Sequence, residues 1–374
     1  MLFRSVDALR AAGDRAVVIA GERYGRAAGD VLALAEAVGA RFAFVTRRAN
    51  DRGALRAGVH PRFLPGGRSA ARARERADVE AVWGPIMAEG VGRDVGAILR
   101  ACADREIDVL YLIGVDPFRD HPDADLAQRA LRNAGKVIVQ SLELGSLGPY
   151  ADAFLPAASW IERDGHATDW EGRGQRLRPV RPAPGLALPD WEIFSMLALA
   201  AGGDLGFETL EEIHEEMGPL LAPLGERSDA PDGGPEALGG PSSAAPEPHG
   251  EGALQLFSYP LLVDQGRMSG GADELHAALG TEAFVELHPD DAGAAGVVDG
   301  GRAVVRTDAG AAELPVRVTD GVAVGTAFVP FNSAGLAANE LLSGSFTTPA
   351  SIGPVDARDG EAELDEPVAV GGGS

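Results

Sequence analysis

A stretch that cannot build a core divides this chain. Residues 219–252 run into PDGGPEALGGPSSAAPEPHGEG, rich in Pro, Gly, Ser and Glu and empty of apolar periodicity, which is the composition of a flexible tether. It holds too little apolar surface to offset the entropy of ordering its backbone. The residues on either side must therefore bury separate cores, and a chain of 374 residues is long enough for two. The expected domains are 1–218 and 253–360, with a disordered tail over 361–374 that ends VGGGS.

Before the tether, apolar runs alternate with helical patterns. Residues 16–20 (AVVIA) end at Gly21 and have the continuous apolar character of a strand in a parallel sheet. A helical pattern over 31–38 and an apolar run at 42–45 complete a β-α-β unit. Gly21, Gly25 and Gly29 lack the G-x-G-x-x-G spacing and no acidic residue ends the second strand, so close strand-to-helix packing explains them better than NAD binding. Residues 50–68 have no period and read as a long irregular connection, a kind of segment that is often functional. Arg68, Arg72, Arg74 and Arg76 form a basic island, read as a solvated helix face in preference to an anion or partner site.

A helix over 95–105 carries Cys102, and the strand 109–113 (VLYLI) ends in the turn Gly114-Val115-Asp116-Pro117. Cys102 has no nearby histidine and no C-x-x-C partner, which makes it a buried structural thiol. His121, Asp123 and Asp125 are better explained by helix initiation than by metal binding, because carboxylates favour the positive end of a helix. After a strand at 137–140, a helix over 190–201 is expected to take Asp190 as N-cap behind Pro189. The order of strands and helices predicts a doubly wound, Rossmann-like α/β domain.

Beyond the tether, short β-branched or aromatic runs at 254–258, 283–287, 303–307, 313–318 and 327–330 alternate with Gly-rich turns, as in a small β-barrel. Pro289 suits the first turn of a helix that Asp290 and Asp291 favour and Gly296 stops. Asp299-Gly300 marks the next turn.

The densest group of functional side-chain types lies in ADAFLPAASWIERDGHATDWEGRGQ, residues 151–175, where a strand ends at Pro156 and Glu162, Asp164, His166, Asp169, Glu171 and Arg173 follow. Ligands in open α/β sheets bind beyond such carboxyl ends. A metal site or an acid/base pair competes with a salt-bridged loop in which Arg163 and Arg173 balance the acids. One histidine and several carboxylates without tight ligand spacing favour the loop.

Composition removes other functions. A net charge of −23 and a pI near 4.7 disfavour nucleic acid as a partner. The single cysteine excludes a disulfide framework and any iron–sulfur or zinc cluster ligated by cysteines of this chain alone. No apolar run approaches the roughly 20 residues that span a bilayer, and the first residues carry no secretory pattern, so the expected compartment is the cytoplasm without direct membrane insertion.

The motifs resemble the molybdopterin oxidoreductase superfamily, and within it the branch of the large peripheral-arm G subunit of bacterial NADH-quinone oxidoreductase, respiratory complex I. The family pattern ADxxLP followed by E-x-x-G-T-x-x-N-x-E-G-R-x-Q appears here with Ala151, Asp152, Leu155, Pro156, Glu162, Gly165, Glu171, Gly172, Arg173 and Gln175 in register; His166 replaces the Thr and Asp169 the Asn. VELHPDDAGAAGVVDGGRAVV is similar to the family's dinucleotide-binding C-terminal domain, NDRGALRAGVHPRFLPG to its Asn, Gly and Pro-x-x-Leu-Pro-Gly segment, and GVDP to its Gly-x-Asn-Pro. The resemblance implies a double-psi-like barrel after the α/β domain. It also implies a place peripheral to the cytoplasmic face of the inner membrane, beside peripheral-arm subunits that carry FMN and iron–sulfur clusters. The family's 4Fe-4S and 2Fe-2S clusters belong to a region N-terminal to the first matched motif, so this chain is expected to ligate none and to act as a scaffold with no catalytic residue.

The resemblance leaves an alternative, a cofactor-binding fragment of a formate dehydrogenase or nitrate reductase type enzyme. Molybdopterin guanine dinucleotide would then be held by Gly114, Asp116, Pro117, Glu162, Gly165, His166, Asp169 and Arg173. The carboxylate of Asp169 speaks against it, since it would repel a diphosphate. A third reading is an assembly module with an empty cleft and no redox partners.

Overall fold

The structure, a computed structural model, describes residues 2–21, 28–46, 48–84, 90–221, 253–266, 269–342 and 344–355. The expected tether from 222 onward and the tail over 361–374 lie outside the described residues, as does Gly25 of the first glycine-rich turn. The chain divides into two compact units, Met1–Gly114 with Ala134–Glu247, and Val115–Asn133 with Pro248–Ser374.

The first unit is mixed α/β. Helix α1 (Leu2–Ala12) precedes β1 (Val17–Gly21), and α2 (Ala28–Val38) packs against β1 and its parallel neighbour β2 (Arg41–Val45). Residues 50–68, expected to be irregular, instead form the short helix α3 (Asp51–Arg56) and the two-residue strands β3 (Phe63–Leu64) and β4 (Arg68–Ser69). The tight turn between those strands needs glycine: Gly66 has φ 78°, and a Cβ there would collide with the Arg68 guanidinium and the Leu220 carbonyl. Helix α4 (Ala73–Trp83) then leads to α5 (Val95–Ala103), which Asp94 caps by accepting from the Ala97 N–H at 2.7 Å.

A second parallel sheet has the order β5 (Val109–Ile113), β6 (Lys136–Ser141), β7 (Ala153–Pro156). In register, Val109 faces Lys136 and Ile138 faces Ala153. The hairpin β8 (Gly165–Thr168) and β9 (Gly174–Leu177) follows, then α8 (Asp190–Ala200) and α9 (Leu210–Leu221). The N-cap of α8 is Pro189, which has ψ 143°, not Asp190 as the sequence suggested: Asp190 is already the first helical residue, and its carboxylate binds Gln140 and Arg163.

The basic island also differs from its expected role. Arg68 is buried, donating through Nη1 to the carbonyls of Pro65 at 2.8 Å and Leu220 at 2.6 Å, while Arg56 donates to that of Leu221. Two arginines thus satisfy the last carbonyls of α9, which its own helix cannot reach.

The second unit contains helices α6 (Pro117–Asp120) and α7 (Ala124–Asn133), and a closed barrel of six strands in the order β10-β14-β11-β13-β12-β15. They are β10 (Leu254–Phe257), β11 (Val285–Leu287), β12 (Arg302–Arg306), β13 (Ala311–Val318), β14 (Thr326–Phe328) and β15 (Thr347–Pro354). Helix α10 (Asp273–Leu279) lies between β10 and β11, and α11 (Pro289–Ala295) follows β11 and ends at Gly296 with φ 70°. Leu256, Val285, Leu287, Ala303, Val305, Val316 and Ala327 fill the core. The closing strand β15 was not foreseen. Its first half pairs with β10 and its second half with β12, and the alternation of buried Thr348 and Ala350 with exposed Pro349 and Ser351 fades before Gly353 and Pro354.

Candidate functional site

The segment expected to be a loop, Glu162 to Arg173, builds the antiparallel hairpin β8–β9, in which His166 faces Arg176 and Thr168 faces Gly174. Asp169 shapes its turn. One carboxylate oxygen accepts from the N–H groups of Glu171 at 3.0 Å and Arg173 at 2.9 Å, and the other accepts from Arg173 Nε at 2.8 Å. The Arg173 backbone N–H, and then its guanidinium, hold the Asp169 carboxyl below its usual range. Gly172 takes φ 88° inside this turn, a conformation costly for any side-chain-bearing residue.

The other acids are closed in the same way. Glu162 accepts from the Ser159 N–H at 2.9 Å and from Arg181 Nε at 2.8 Å, and these two partners, in that order, lower its pKa. Asp164 takes both Nε and Nη2 of Arg176, at 3.1 and 2.5 Å, and that pair chiefly lowers its pKa. Glu171 pairs with Arg173. The charge density therefore reports a neutralised hairpin. A carboxylate fixed in its ionised form by charge-assisted bonds is a poor proton acceptor near neutral pH.

Two further contacts hold the hairpin in the first unit. The Thr168 N–H donates to Asn50 Oδ1 at 2.8 Å, and Arg52 Nη1 to the Trp170 carbonyl at 2.8 Å. Gly53 permits this approach, because a Cβ there would collide with Asn50 Oδ1 and crowd Thr168 Oγ1 at 2.9 Å. His166 is exposed and meets His214 of α9 edge to face, ring centroids 4.5 Å apart. At the start of the hairpin, Arg163 pairs with Asp190. Asp190 also accepts from Gln140 Nε2 at 2.7 Å, and the fully buried Gln140 accepts from the Tyr111 hydroxyl. Burial, and then the Asp190 charge, push the Tyr111 phenol up.

The remaining expected residues fall elsewhere. Gly114 ends β5 with φ 62° and donates to the Gln140 carbonyl at 2.8 Å, in the first unit. Asp116 and Pro117 belong to the second unit, where the buried Asp116 caps α6 by accepting from the Phe118 N–H at 3.0 Å. Arg176, Arg181, Arg52, Gln140 and Tyr111 were not singled out from sequence, whereas Asn50 entered only as the Asn of a family-like segment and without a partner. The arginines carry a faint signal, recurring through GRGQRLRPVR; Gln140 and Tyr111 carry none, since their partners lie far along the chain.

Among the described residues no three His, Cys, Asp or Glu side chains converge as a metal set. Cys102 is buried on α5, and burial pushes its thiol up, away from the thiolate that metal ligation requires. Its chemistry does not fit a cysteine-ligated cluster. No helix of the described residues is long and apolar enough to cross a membrane.

Residues 21–200 match the family model described as molybdopterin oxidoreductase, and residues 265–355 the one described as molydopterin dinucleotide binding domain. The chain is 36% identical over 340 residues to the G subunit of NADH-quinone oxidoreductase from Streptomyces coelicolor, covering 89% of this chain and 39% of that protein. It is 29% identical over 335 residues to the alpha subunit of F420-dependent formate dehydrogenase 2 from Methanococcus maripaludis, covering 79% of this chain and 48% of the relative. Acetylene hydratase from Pelobacter acetylenicus superimposes with a TM-score of 0.50 at 18% identity, over 71% of this chain and 47% of that one, a likeness of fold alone. The chain thus spans about two fifths of the length of the Streptomyces relative.

Proposed function

Because the chain belongs to the molybdopterin oxidoreductase family, we propose that it is a G-type subunit of the peripheral arm of an NADH-quinone oxidoreductase. In this role it is mainly a scaffold that supports electron transfer from NADH through iron–sulfur clusters to quinone, beside subunits that carry FMN and clusters, at the cytoplasmic face of the membrane. The observation that carries the reading is the 36% identity to the Streptomyces protein over 340 residues, against 29% to the formate dehydrogenase chain. The proposed domains are 1–218 and 253–360, except that residues 115–133 group with the second unit and residues 219–221 complete α9.

The clusters belong to other parts of the assembly, since a lone buried cysteine cannot supply their ligands. A pterin dinucleotide would supply a metal-binding dithiolene and a nucleotide diphosphate, and Gly114, Asp116, Pro117, Glu162, Gly165, His166, Asp169 and Arg173 are the residues proposed to meet it. As they stand they do not fit. Arg163, Arg173, Arg176 and Arg181, the cations a diphosphate would seek, are paired with Asp190, Asp169 and Glu171, Asp164 and Glu162. No step is therefore assigned to the group.

Purification of the full chain with its native partners from mild-detergent extracts of the host tests the reading. The expected result is co-purification with NADH-quinone reductase activity, with molybdenum and tungsten far below one atom per chain. Stoichiometric molybdenum or tungsten with guanine nucleotide, and no NADH-oxidising partner, would replace it with a molybdopterin enzyme of the formate dehydrogenase type.

A further inference from the structure

The connection between two neighbouring strands of the first unit is held by the barrel. Strands β5 and β6 are paired in parallel, and such a pair requires a crossover; here that crossover is residues 115–133. Those residues nevertheless group with the barrel. The chain leaves the first unit after Gly114 and returns to it at Ala134.

The bonds that hold the crossover are specific. Asn339, buried in the short helical turn Ala338–Glu340, donates through Nδ2 to the carbonyls of Phe118 at 2.5 Å and His121 at 3.2 Å. These carbonyls sit inside and at the end of α6, which at four residues is too short to satisfy them itself. Arg119 reaches the carbonyl of Gln265 at 2.7 Å, and the N–H of Gln265 donates to the Asn332 carbonyl at 2.6 Å. Within the turn, Asp116 caps the Phe118 N–H, and Asp120 accepts from the Asp116 N–H at 2.8 Å. The carboxylates of Asp116 and Asp120 thus help close the turn on itself, and the Asn339 amide and the Arg119 guanidinium tie it to other residues of the second unit.

We propose that Asn339 is the clamp that fixes the Asp116–Asp120 turn, and that residues 115–133 acquire their ordered form only as part of the folded barrel. One consequence follows from the order of the chain. The crossover is synthesised before the barrel strands, so the β5–β6 connection is completed late. This holds whichever redox complex the chain serves.

Hydrogen exchange on the intact chain tests the clamp. Asn339→Asp keeps the shape of the side chain and removes its donor; Asn339→Ala removes both. Both variants are expected to speed exchange at the amides of Arg119, Asp120 and His121 by about tenfold or more, the order of effect of losing buried hydrogen bonds. Amides of the β8–β9 hairpin should stay within about twofold, as they have no part in the clamp. Unchanged exchange at Arg119 to His121 would overturn the proposal. If either variant fails to fold, exchange across a urea series on the unaltered chain decides: 115–133 should lose protection together with β10 to β15, and loss together with β5 and β6 rejects the idea.

Discussion

In the barrel every strand has a neighbour on both sides, whereas the described strands of the first unit stop at sheets of two and three. The consequence is visible in side chains of equal apolarity. Val285, Leu287 and Val305 have no exposed surface, but Ile19 of β1 is 68% exposed and Val17, Val109 and Ile113 of the parallel strands are also open. Parallel sheets are ordinarily covered on both faces. VVIAG and VLYLI are as apolar as any barrel strand, so composition alone does not bury a strand here: a strand flanked on both sides is buried, in the barrel or as β6 in the middle of the open sheet, whereas β1 and the ends of β5 stay open. The units also differ in what stabilises them: the barrel rests on one continuous apolar core, and the first unit adds arginines that tie carbonyls and carboxylates together.

The comparison can be broken first at the barrel. Leu287→Ala removes a side chain with no exposure, and the lost burial plus the cavity should cost about 2–5 kcal/mol in urea unfolding. Ile19→Ala, in an open position, should stay within about 0.5 kcal/mol; equal costs would show that β1 is covered in solution. Next is Arg68→Met, which keeps apolar bulk but strands the carbonyls of Pro65 and Leu220. A loss of about 1–3 kcal/mol is expected, with faster exchange in the last turn of α9. Gly53→Ala forces Asn50 Oδ1 away from the Thr168 N–H and should cost about 1–2 kcal/mol, seen as loss of protection at Thr168 with the barrel unaffected.

The smallest effect per group is expected from acid. Asp152, Glu162, Asp164, Asp169 and Glu212 all lie in the first unit and all have lowered pKa values. A carboxylate whose folded pKa is depressed contributes stability above its unfolded value, near pH 4, and that contribution disappears as pH falls through the lower folded value. Exchange in the β8–β9 hairpin should therefore accelerate, after correction for intrinsic rates, as the pH falls below about 4. A hairpin whose protection is constant over that range would show that the ion pairs add nothing.

Much of the architecture could be read from local pattern. The apolar runs at β1, β5 and β6, the helix α11 with Pro289 at its start and Gly296 at its end, and the first strands of the barrel all announce themselves within a few residues. The hairpin did not. GHAT and GQRL are too short and polar for an alternation signal, and their pairing depends on the Asp169 turn and on contacts to Asn50 and Arg52. Asp190 looked like a cap because position predicts caps, yet Gln140 and Arg163 claim its carboxylate. β15 was silent because its two halves serve different partners and its alternation fades before Gly353 and Pro354.

Residues alone decided the parallel α/β character of the first half, the barrel of the second and the family signature, because each follows from composition, period or spacing over short stretches. The tertiary structure decided that the charged segment is a neutralised hairpin, that Arg68 is a buried cap, and that residues 115–133 belong to the barrel. The hairpin's neutralising pairs lie within 19 residues of each other, but for Arg68 and for residues 115–133 the bond that settles the matter joins distant parts of the chain, 152 residues for Arg68 to Leu220 and 221 for Asn339 to Phe118. No local preference of the backbone encodes a partner that far away. Only the free energy of the whole packed unit selects it.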